Sequence, residues 1–210
     1  MKIAVMGSGN VGRTLAEGLH TKGHDVRLAT REPGRPELAA WSSGSGVALE
    51  HLAPAAAGAE LIVLATAWSG VAEALAAAGP ANLEGKVLID VTNPLRFTDR
   101  LELAMGHDDS GGETVQRLAP GARVVKAFNT VGFELMVDPD LLGGPPTMFV
   151  AGDDAEARSV VAGLAGQLGW AVHDCGDLRA ARLTEPLAML WIEHALRTGQ
   201  RTHAFRLIGL

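Results

Sequence analysis

A glycine motif near the start of the chain constrains its fold more than any other feature. The motif Gly7–Gly12, with the pattern G-x-G-x-x-G, directly follows a β-branched run and directly precedes a stretch of helical period. In this order of strand, turn and helix, the glycines permit a tight turn, and the helix N-terminus offers free N–H groups to a pyrophosphate. A glycine-rich turn without a ligand is the alternative. We predict a dinucleotide-binding βαβ unit whose cofactor contacts include Gly7, Ser8, Gly9, Asn10 and Val11.

The end of the second predicted strand indicates which dinucleotide is bound. NAD sites usually place an Asp or Glu there to bind the ribose hydroxyls, whereas this strand ends in Thr30 and Arg31. A hydroxyl and a guanidinium suit a 2′-phosphate, and Arg35 adds a second positive charge in the following loop. NADP is therefore favoured over NAD. The alternative is that the arginines are solvated surface charges, beside Glu32.

Three later strand ends carry small, hydroxyl or amide residues. Because the carboxyl ends of parallel strands meet at one edge of a sheet, these residues are expected near the nicotinamide ribose and ring. Each of them is otherwise an ordinary turn residue. The predicted contacts are Ala65, Thr66, Ala67, Asn93, Ala127, Asn129 and Thr130.

Short β-branched runs alternate along the chain with alanine- and leucine-rich stretches of helical period, a pattern typical of a parallel sheet covered by helices. Strands are predicted at Lys2–Met6, Asp25–Thr30, Leu61–Ala65, Lys86–Asp90, Arg123–Ala127, Met148–Ala151 and Ala171–Asp174. Helices are predicted at Val11–Lys22, Val71–Ala78, Glu113–Leu118, Ala155–Leu168 and Leu178–Arg197. The fold class is therefore α/β: a Rossmann-type, doubly wound, mainly parallel sheet with a C-terminal helical segment.

The chain divides into a main domain and a short extension. We predict an NADP-binding domain over 1–177, and a C-terminal helix and tail over 178–210 that close the substrate cleft. The segment 93–112 has weak periodicity and is rich in charge and glycine, so a long loop near the carboxyl edge is expected. Ser110 and Glu113 have the spacing of a capping box, in which each side chain binds a free backbone N–H at a helix start.

The composition excludes several classes of protein. Hydrophobic residues make up 47% of the chain, enough to form a core, and a net charge of −6 with dispersed arginines offers no face for nucleic acid. The chain starts with a strand pattern rather than a secretion signal, and no uncharged run reaches the roughly 20 apolar residues of a membrane span. The one cysteine, Cys175, excludes a disulfide framework and a multi-cysteine metal site, so a cytoplasmic location is expected.

Recognisable catalytic motifs are absent from the sequence. Neither the nucleophile pattern G-x-S-x-G nor the zinc pattern H-E-x-x-H occurs, and His173 and His194 have no evident partner. Lys126 and Asn129 resemble the lysine–asparagine pair of hydroxyacid dehydrogenases only superficially, because two such side chains on a strand point to opposite faces. We predict no catalytic side chain and no metal ligand.

These residues together resemble the F420-dependent NADP oxidoreductase family, whose members are NADPH-dependent reductases of the deazaflavin coenzyme F420. The resemblance spans nearly the whole chain. It depends on Met1–Gly12, the strand end Thr30-Arg31, the turn Thr66–Trp68, the strand end Val125–Thr130 and the helix Arg182–Leu187.

The resemblance implies that NADP(H) is the cofactor, that F420 is the co-substrate, and that hydride passes directly between two stacked rings without a protein acid or base. Thr30, Arg31 and Arg35 would then hold the 2′-phosphate. A homodimer is also implied, although the apolar stripe of the last helix would equally cover the sheet within one chain. The family has a His where Asn129 stands.

Other functions remain open. The same architecture is similar to the reductase domain of the STEAP metalloreductases, which pass hydride from NADPH to a flavin, so FMN, FAD or another small substrate is an alternative acceptor. A redox sensor that binds NADP without turnover is a third possibility. Three arginines near the C-terminus would either bind the acidic tail of a deazaflavin coenzyme or face only solvent: Arg179, Arg182 and Arg201.

Overall fold

The structure, a computed structural model, describes residues 1–209. Within these residues the strands are β1 (Lys2–Met6), β2 (Asp25–Thr30), β3 (Ala48–His51), β4 (Leu61–Leu64), β5 (Val87–Asp90), β6 (Leu95–Phe97), β7 (Leu101–Leu103), β8 (Arg123–Lys126), β9 (Thr147–Gly152) and β10 (Ala171–Asp174). The helices are α1 (Asn10–Thr21), α2 (Pro36–Ser45), α3 (Leu52–Gly58), α4 (Val71–Ala78), α5 (Pro80–Leu83), α6 (Gly111–Leu118), α7 (Ala155–Gln167) and α8 (Ala181–Thr198).

Eight of the described strands form one sheet, in the order β10-β9-β8-β5-β4-β1-β2-β3. The chain builds this sheet outward from β1, first through β2 and β3 on one side and then through β4, β5 and β8 on the other. All neighbouring strands are parallel except β8 and β9. The predicted Rossmann-type, mainly parallel fold is therefore confirmed, and the order reverses between β1 and β4, where such sheets bind ligands.

Both faces of the sheet are covered, so its central strands are buried throughout. In β1, Ile3 and Val5 pack into the core cluster that includes residues of α1 and α7. Ala4 and Met6 point the other way, into a second cluster with residues of α3 and α4. This alternation is expected of a strand, because successive side chains face opposite sides of the sheet.

Several short elements escaped the sequence prediction. The expected loop over 93–112 is wrong in part, because β6 and β7 form an antiparallel hairpin there. Three-residue strands are too short for an apolar alternation to show, and one cross-strand contact in this hairpin is an ion pair between Arg96 and Glu102. The edge strand β3 and helix α2 were likewise missed; α2 buries only Leu38, so its hydrophobic periodicity is weak.

The C-terminal segment begins with a 3₁₀ turn and continues as α8, which ends at a left-handed Gly199. The following residues return to the sheet, where the Thr147 amide donates a hydrogen bond to the Phe205 carbonyl at 2.9 Å. The final residue of the predicted segment 178–210, Leu210, lies outside the described residues. Among residues 1–209, no helix is long and apolar enough to cross a membrane.

Half of the predicted capping box at the start of α6 is present. The Ser110 hydroxyl accepts a hydrogen bond from the Glu113 amide at 3.1 Å, as expected. The Glu113 carboxylate does not bind the Ser110 amide, which instead donates to Asp109 at 2.9 Å. Glu113 is drawn to Arg182 of α8, whose Nε and Nη2 donate to it at 2.8 and 2.6 Å.

Candidate functional site

Two adjoining cavities lie along the carboxyl edge of the sheet at the point where the strand order reverses. The first, of about 430 Å³, is lined by Gly7, Ser8, Gly9, Ala29, Thr30, Arg31, Glu32, Arg35, Leu52, Ala65, Thr66, Ala67, Ser69, Gly70, Glu73 and Ala74. The second, of about 480 Å³, is lined by Gly9, Asn10, Val11, Ala65, Thr66, Ala67, Trp68, Ser69, Val91, Thr92, Asn93 and Leu95. Five residues line both cavities, so the two cavities form one continuous cleft.

The glycine motif forms the boundary between the two cavities. Gly7 has a φ of +124°, and a Cβ atom there would lie 2.4 Å from the Ala65 carbonyl oxygen. A Cβ at Gly12 would lie 1.9 Å from the Gly7 carbonyl oxygen, so only glycine allows α1 to start this close to the turn. At Gly9, by contrast, a Cβ would meet nothing within 4 Å. That open space at the N-terminus of α1 is where a dinucleotide pyrophosphate would approach the backbone.

The end of the first cavity near β2 carries both positive and negative charge. Thr30 is buried, whereas Arg31 and Arg35 are exposed. Arg31 pairs with Glu73 of α4, and Arg35 pairs with Glu37 of α2 at 2.8 Å. The two arginines stand where a 2′-phosphate would need them, and each one already has a carboxylate partner.

The second cavity is neutral: every described residue that lines it is uncharged. Its walls combine small residues with the indole of Trp68 and the side chain of Leu95, which belongs to the hairpin β6–β7. The Thr66 hydroxyl is buried and has no hydrogen-bond partner among residues 1–209. A cavity with this lining suits a ligand group that carries no charge.

Asn93 and Asn129 join the ends of β5 and β8 to each other. The Asn93 side chain donates to the Asn129 carbonyl at 2.8 Å, and the Asn129 side chain donates to Asn93 Oδ1 at 3.2 Å. Of the four predicted contacts that follow β5 and β8, only Asn93 lines the second cavity. The other three are buried and line neither cavity: Ala127, Asn129 and Thr130. For these three residues, contact with a cofactor stays a prediction, and Asn129 reaches the cleft through Asn93.

The backbone between Lys126 and Asn129 does not keep the extended geometry of a strand. Phe128 has a φ of +62°, a left-handed conformation that a bulky residue rarely adopts. Phe128 lies just beyond β8, so the alternation of the strand does not continue to Asn129 and the opposite-face prediction is wrong. Lys126 contacts Thr92 and Asn129 contacts Asn93, which are neighbours on one loop.

Sequence reasoning missed several residues of the cleft. Glu73 lies in the first turn of α4, and Leu52 begins α3, a helix that was not predicted. Trp68 and Leu95 line the second cavity but carried no polar signal. The one available clue was the position of Glu73, in the first turn of the helix that follows β4.

The three C-terminal arginines all form ion pairs within the described chain. Arg182 pairs with Glu113, Arg179 pairs with Asp177 at 3.5 Å, and Arg201 pairs with Glu134. The Arg182 guanidinium, through its hydrogen bonds, is the main cause that lowers the pKa of Glu113. None of these arginines lines either of the two cavities.

Comparison with known proteins gives a consistent family assignment. The family model described as NADP oxidoreductase, coenzyme F420-dependent, matches residues 2–94. The crystal structure of a candidate F420-dependent NADP reductase from Arthrobacter sp. FB24 is 42% identical, with a TM-score of 0.94 and complete coverage of both chains. A hypothetical protein from Sinorhizobium meliloti is 29% identical, with a TM-score of 0.75, over 86% of this chain and 87% of its own.

One curated relative is a metalloreductase and is much longer than this chain. Metalloreductase STEAP3 of Rattus norvegicus is 31% identical over 192 residues, which are 90% of this chain and 37% of that protein. The chain therefore spans little more than a third of the length of this relative.

Proposed function

The chain belongs to the family of coenzyme F420-dependent NADP oxidoreductases, and from that premise we propose that it transfers hydride between NADP(H) and coenzyme F420. The observation that carries this proposal is the pair of adjoining cavities. One offers a glycine turn and two arginines, and the other offers a neutral chamber with small walls. An NADP molecule needs both environments in this order, because its 2′-phosphate and its nicotinamide lie at opposite ends, with the pyrophosphate between them.

The residues of the cleft fit the proposed cofactor. Gly9 leaves open space where a Cβ would otherwise stand, so the backbone can approach the pyrophosphate. Arg31 and Arg35 supply the cations for a 2′-phosphate, with the Thr30 hydroxyl beside them. Thr66 lines both cavities and so lies at their shared boundary. The predicted set Gly7–Val11, Thr30, Arg31, Arg35, Ala65–Ala67 and Asn93 is therefore proposed as the cofactor site.

Bound NADPH would supply the hydride itself. The chain's part is to hold the two reacting rings in contact and to exclude water, which brings their carbons to about 3–3.5 Å. Trp68 and Leu95 are placed to shield such a pair from solvent, and Asn93 offers an amide to orient it. On this proposal no side chain donates or accepts a proton during the transfer.

The test is oxidation of NADPH by the purified protein, followed at 340 nm with coenzyme F420, FMN and FAD as separate acceptors and with NADH as the alternative donor. Rapid turnover with NADPH and F420 supports the proposed reaction. Turnover with FMN or FAD alone contradicts F420 as the acceptor. Tight NADPH binding without turnover on any of the three would contradict all three acceptors and leave another substrate or the non-catalytic redox sensor.

A second candidate, an NADPH-dependent reductase of FMN, FAD or another small substrate, is favoured by the likeness to STEAP3 over 90% of this chain. That relative is named as a metalloreductase, so ferric and cupric salts with added flavin belong in the same assay. Metal reduction that depends on added FMN or FAD, and that F420 does not support, would establish this candidate over the first.

We also propose that two copies of the chain associate through α8. Leu183 and Leu190 lie seven residues apart on one face of this helix and are 74% and 61% exposed. Replacing both with glutamate is expected to give a monomer in light scattering, whereas Leu142→Glu, at a fully exposed position outside α8, is expected to change nothing. Separately, we propose a cytoplasmic location, because the chain has a single cysteine and so needs no oxidising compartment.

A further inference from the structure

Lys126 is the largest fully buried side chain of the described residues, and it is charged. Its Nζ lies 2.9 Å from Asp90 Oδ2 and 2.8 Å from Glu185 Oε1, and it donates to the Thr92 carbonyl at 2.6 Å. These acceptors use all three protons of the ammonium group. Asp90 and Glu185 are themselves almost completely buried.

The two carboxylates are tied to further elements. Asp90 Oδ1 accepts from the backbone amide of Thr92 at 2.9 Å and from its hydroxyl at 2.7 Å. Glu185, on α8, accepts from the amides of Gly111 and Gly112 at 2.9 and 3.0 Å, at the N-terminus of α6. The cluster of one ammonium and two carboxylates thus connects β5, β8, α6 and α8, and the helix N-terminus offsets its excess negative charge.

The ammonium stays charged in this environment. Burial alone would lower the pKa of Lys126, but the charges and hydrogen bonds of Asp90 and Glu185 together outweigh burial, and the pKa is raised above its ordinary value. A buried ion cluster of this kind is often no more stabilising than well-packed apolar side chains of similar volume, because each charge loses its hydration. Stability by itself is therefore a weak reason for these three residues.

Their position relative to the second cavity offers a better reason. Val91, Thr92 and Asn93 form one wall of that cavity, and the cluster holds the middle residue of the three by its amide, its hydroxyl and its carbonyl. Lys126 itself does not line the cavity and is inaccessible to a ligand. Just beyond it, the left-handed Phe128 and the Asn93–Asn129 hydrogen bonds complete the connection between the two strand ends.

We propose that Lys126, Asp90 and Glu185 are positioning residues, which fix the wall 91–93 in the geometry that holds the nicotinamide ring. This inference rests on the proposed function for the placement of the ring. It assigns a role to a buried charge that no step of hydride transfer uses, and it makes α8 part of the support of the cleft through Glu185.

The test compares two ligands that differ only by the nicotinamide ring: NADPH and 2′-phospho-ADP-ribose. Their dissociation constants are measured by calorimetry for the wild type, for Lys126→Met, and for Asp90→Asn, which leaves a balanced Lys126–Glu185 pair in case Lys126→Met does not fold. The matched control is Lys86→Met, because the Lys86 ammonium binds the Ala56 and Ala57 carbonyls near the amino end of β5.

The wild type is expected to bind NADPH more tightly than 2′-phospho-ADP-ribose. That preference should fall about fivefold in Lys126→Met and about twofold in Asp90→Asn, as for the loss of roughly one hydrogen bond to the ring or less. In Lys86→Met it should not change. An equal loss for both ligands in the two cluster variants, or an unchanged preference, would overturn the positioning role.

These binding data and the NADPH oxidation assay together separate this inference from the proposed function. A wild type that prefers NADPH but does not turn over with F420 contradicts the proposed acceptor and leaves the positioning role standing. A wild type that turns over with F420 but has no preference for NADPH over 2′-phospho-ADP-ribose contradicts the positioning role and leaves the proposed reaction standing.

Discussion

The guanidinium of Arg31 and the carboxylate of Glu73 face each other across the mouth of the first cavity, with 3.2 Å between Nη1 and Oε1. A ligand phosphate that binds Arg31 through Nη1 would compete with this carboxylate, so we expect Glu73 to oppose cofactor binding. Glu73→Gln is therefore expected to lower the dissociation constant for NADPH a few fold at low salt, and less at high salt because the exposed charges are screened.

The matched control for Glu73 is Glu156→Gln, which removes an exposed carboxylate partner of Arg123 on another surface. Calorimetry at two salt concentrations measures both variants. Weaker NADPH binding in Glu73→Gln would mean that this carboxylate helps to hold the cofactor instead of competing with it.

Arg31 should decide the choice between the two nicotinamide cofactors. Arg31→Ala removes a charge-assisted hydrogen bond that only the 2′-phosphate can use, so the preference for NADPH over NADH should fall about tenfold. Arg27→Ala, at an exposed arginine of β2, the strand that Arg31 directly follows, is expected to keep the wild-type preference. If Arg31→Ala weakens both cofactors equally, the strand end does not read the 2′-phosphate.

Gly9 should be required by the cofactor and not by the fold. Gly9→Ala adds a Cβ to open space at a residue with a φ of −74°, so the free energy of unfolding should hardly change. The added methyl group would stand in the path of the pyrophosphate, and the dissociation constant for NADPH should rise about tenfold or more.

Gly163→Ala, in the exposed part of α7, is the control for this change. It should leave cofactor binding unchanged and raise the free energy of unfolding by about 0.5–1 kcal/mol, because alanine is the better helix former. Chemical denaturation and calorimetry on both variants measure these effects. Equal NADPH affinity in Gly9→Ala and the wild type would place the pyrophosphate elsewhere.

The ion pair between Glu113 and Arg182 should make the docking of α8 on α6 dependent on pH. Hydrogen bonding to Arg182 lowers the pKa of Glu113 in the folded protein below its ordinary value of 4.5. The pair therefore stabilises the fold fully above that value, and its contribution disappears as the pH falls through the lower folded-state pKa.

Glu113→Gln should accordingly be less stable than the wild type at pH 7, with a difference that narrows in acid. Urea denaturation between pH 7 and pH 3 measures this difference, and Glu156→Gln, on an 82% exposed side chain, serves as the control. A gap between wild type and Glu113→Gln that stays constant with pH would show that the carboxylate charge does not hold the two helices together.

The sequence by itself determined the fold class and the placement of most candidate cofactor contacts. The arrangement of β1, the glycine turn and α1 depends only on residues close together in the chain. Each of the three glycines of this turn is required for its own steric reason, which the motif alone indicates. Because parallel strands end at one edge, the expectation that Thr30, Thr66 and Asn93 share a cleft needed no further information. The elements missed, β3 and the hairpin β6–β7, are short or lie at an edge, where apolar periodicity is weakest.

Only the tertiary structure decided which charged and polar side chains are paired. Arg31 and Glu73 are 42 positions apart, and Asn129 bonds to a carbonyl 55 positions away on α8. Lysine is seldom buried, so no pattern in the chain marks Lys126 as the centre of an ion cluster. Such partners are brought together by the packing of whole elements, and their energies depend on distance and burial, which a one-dimensional pattern does not contain.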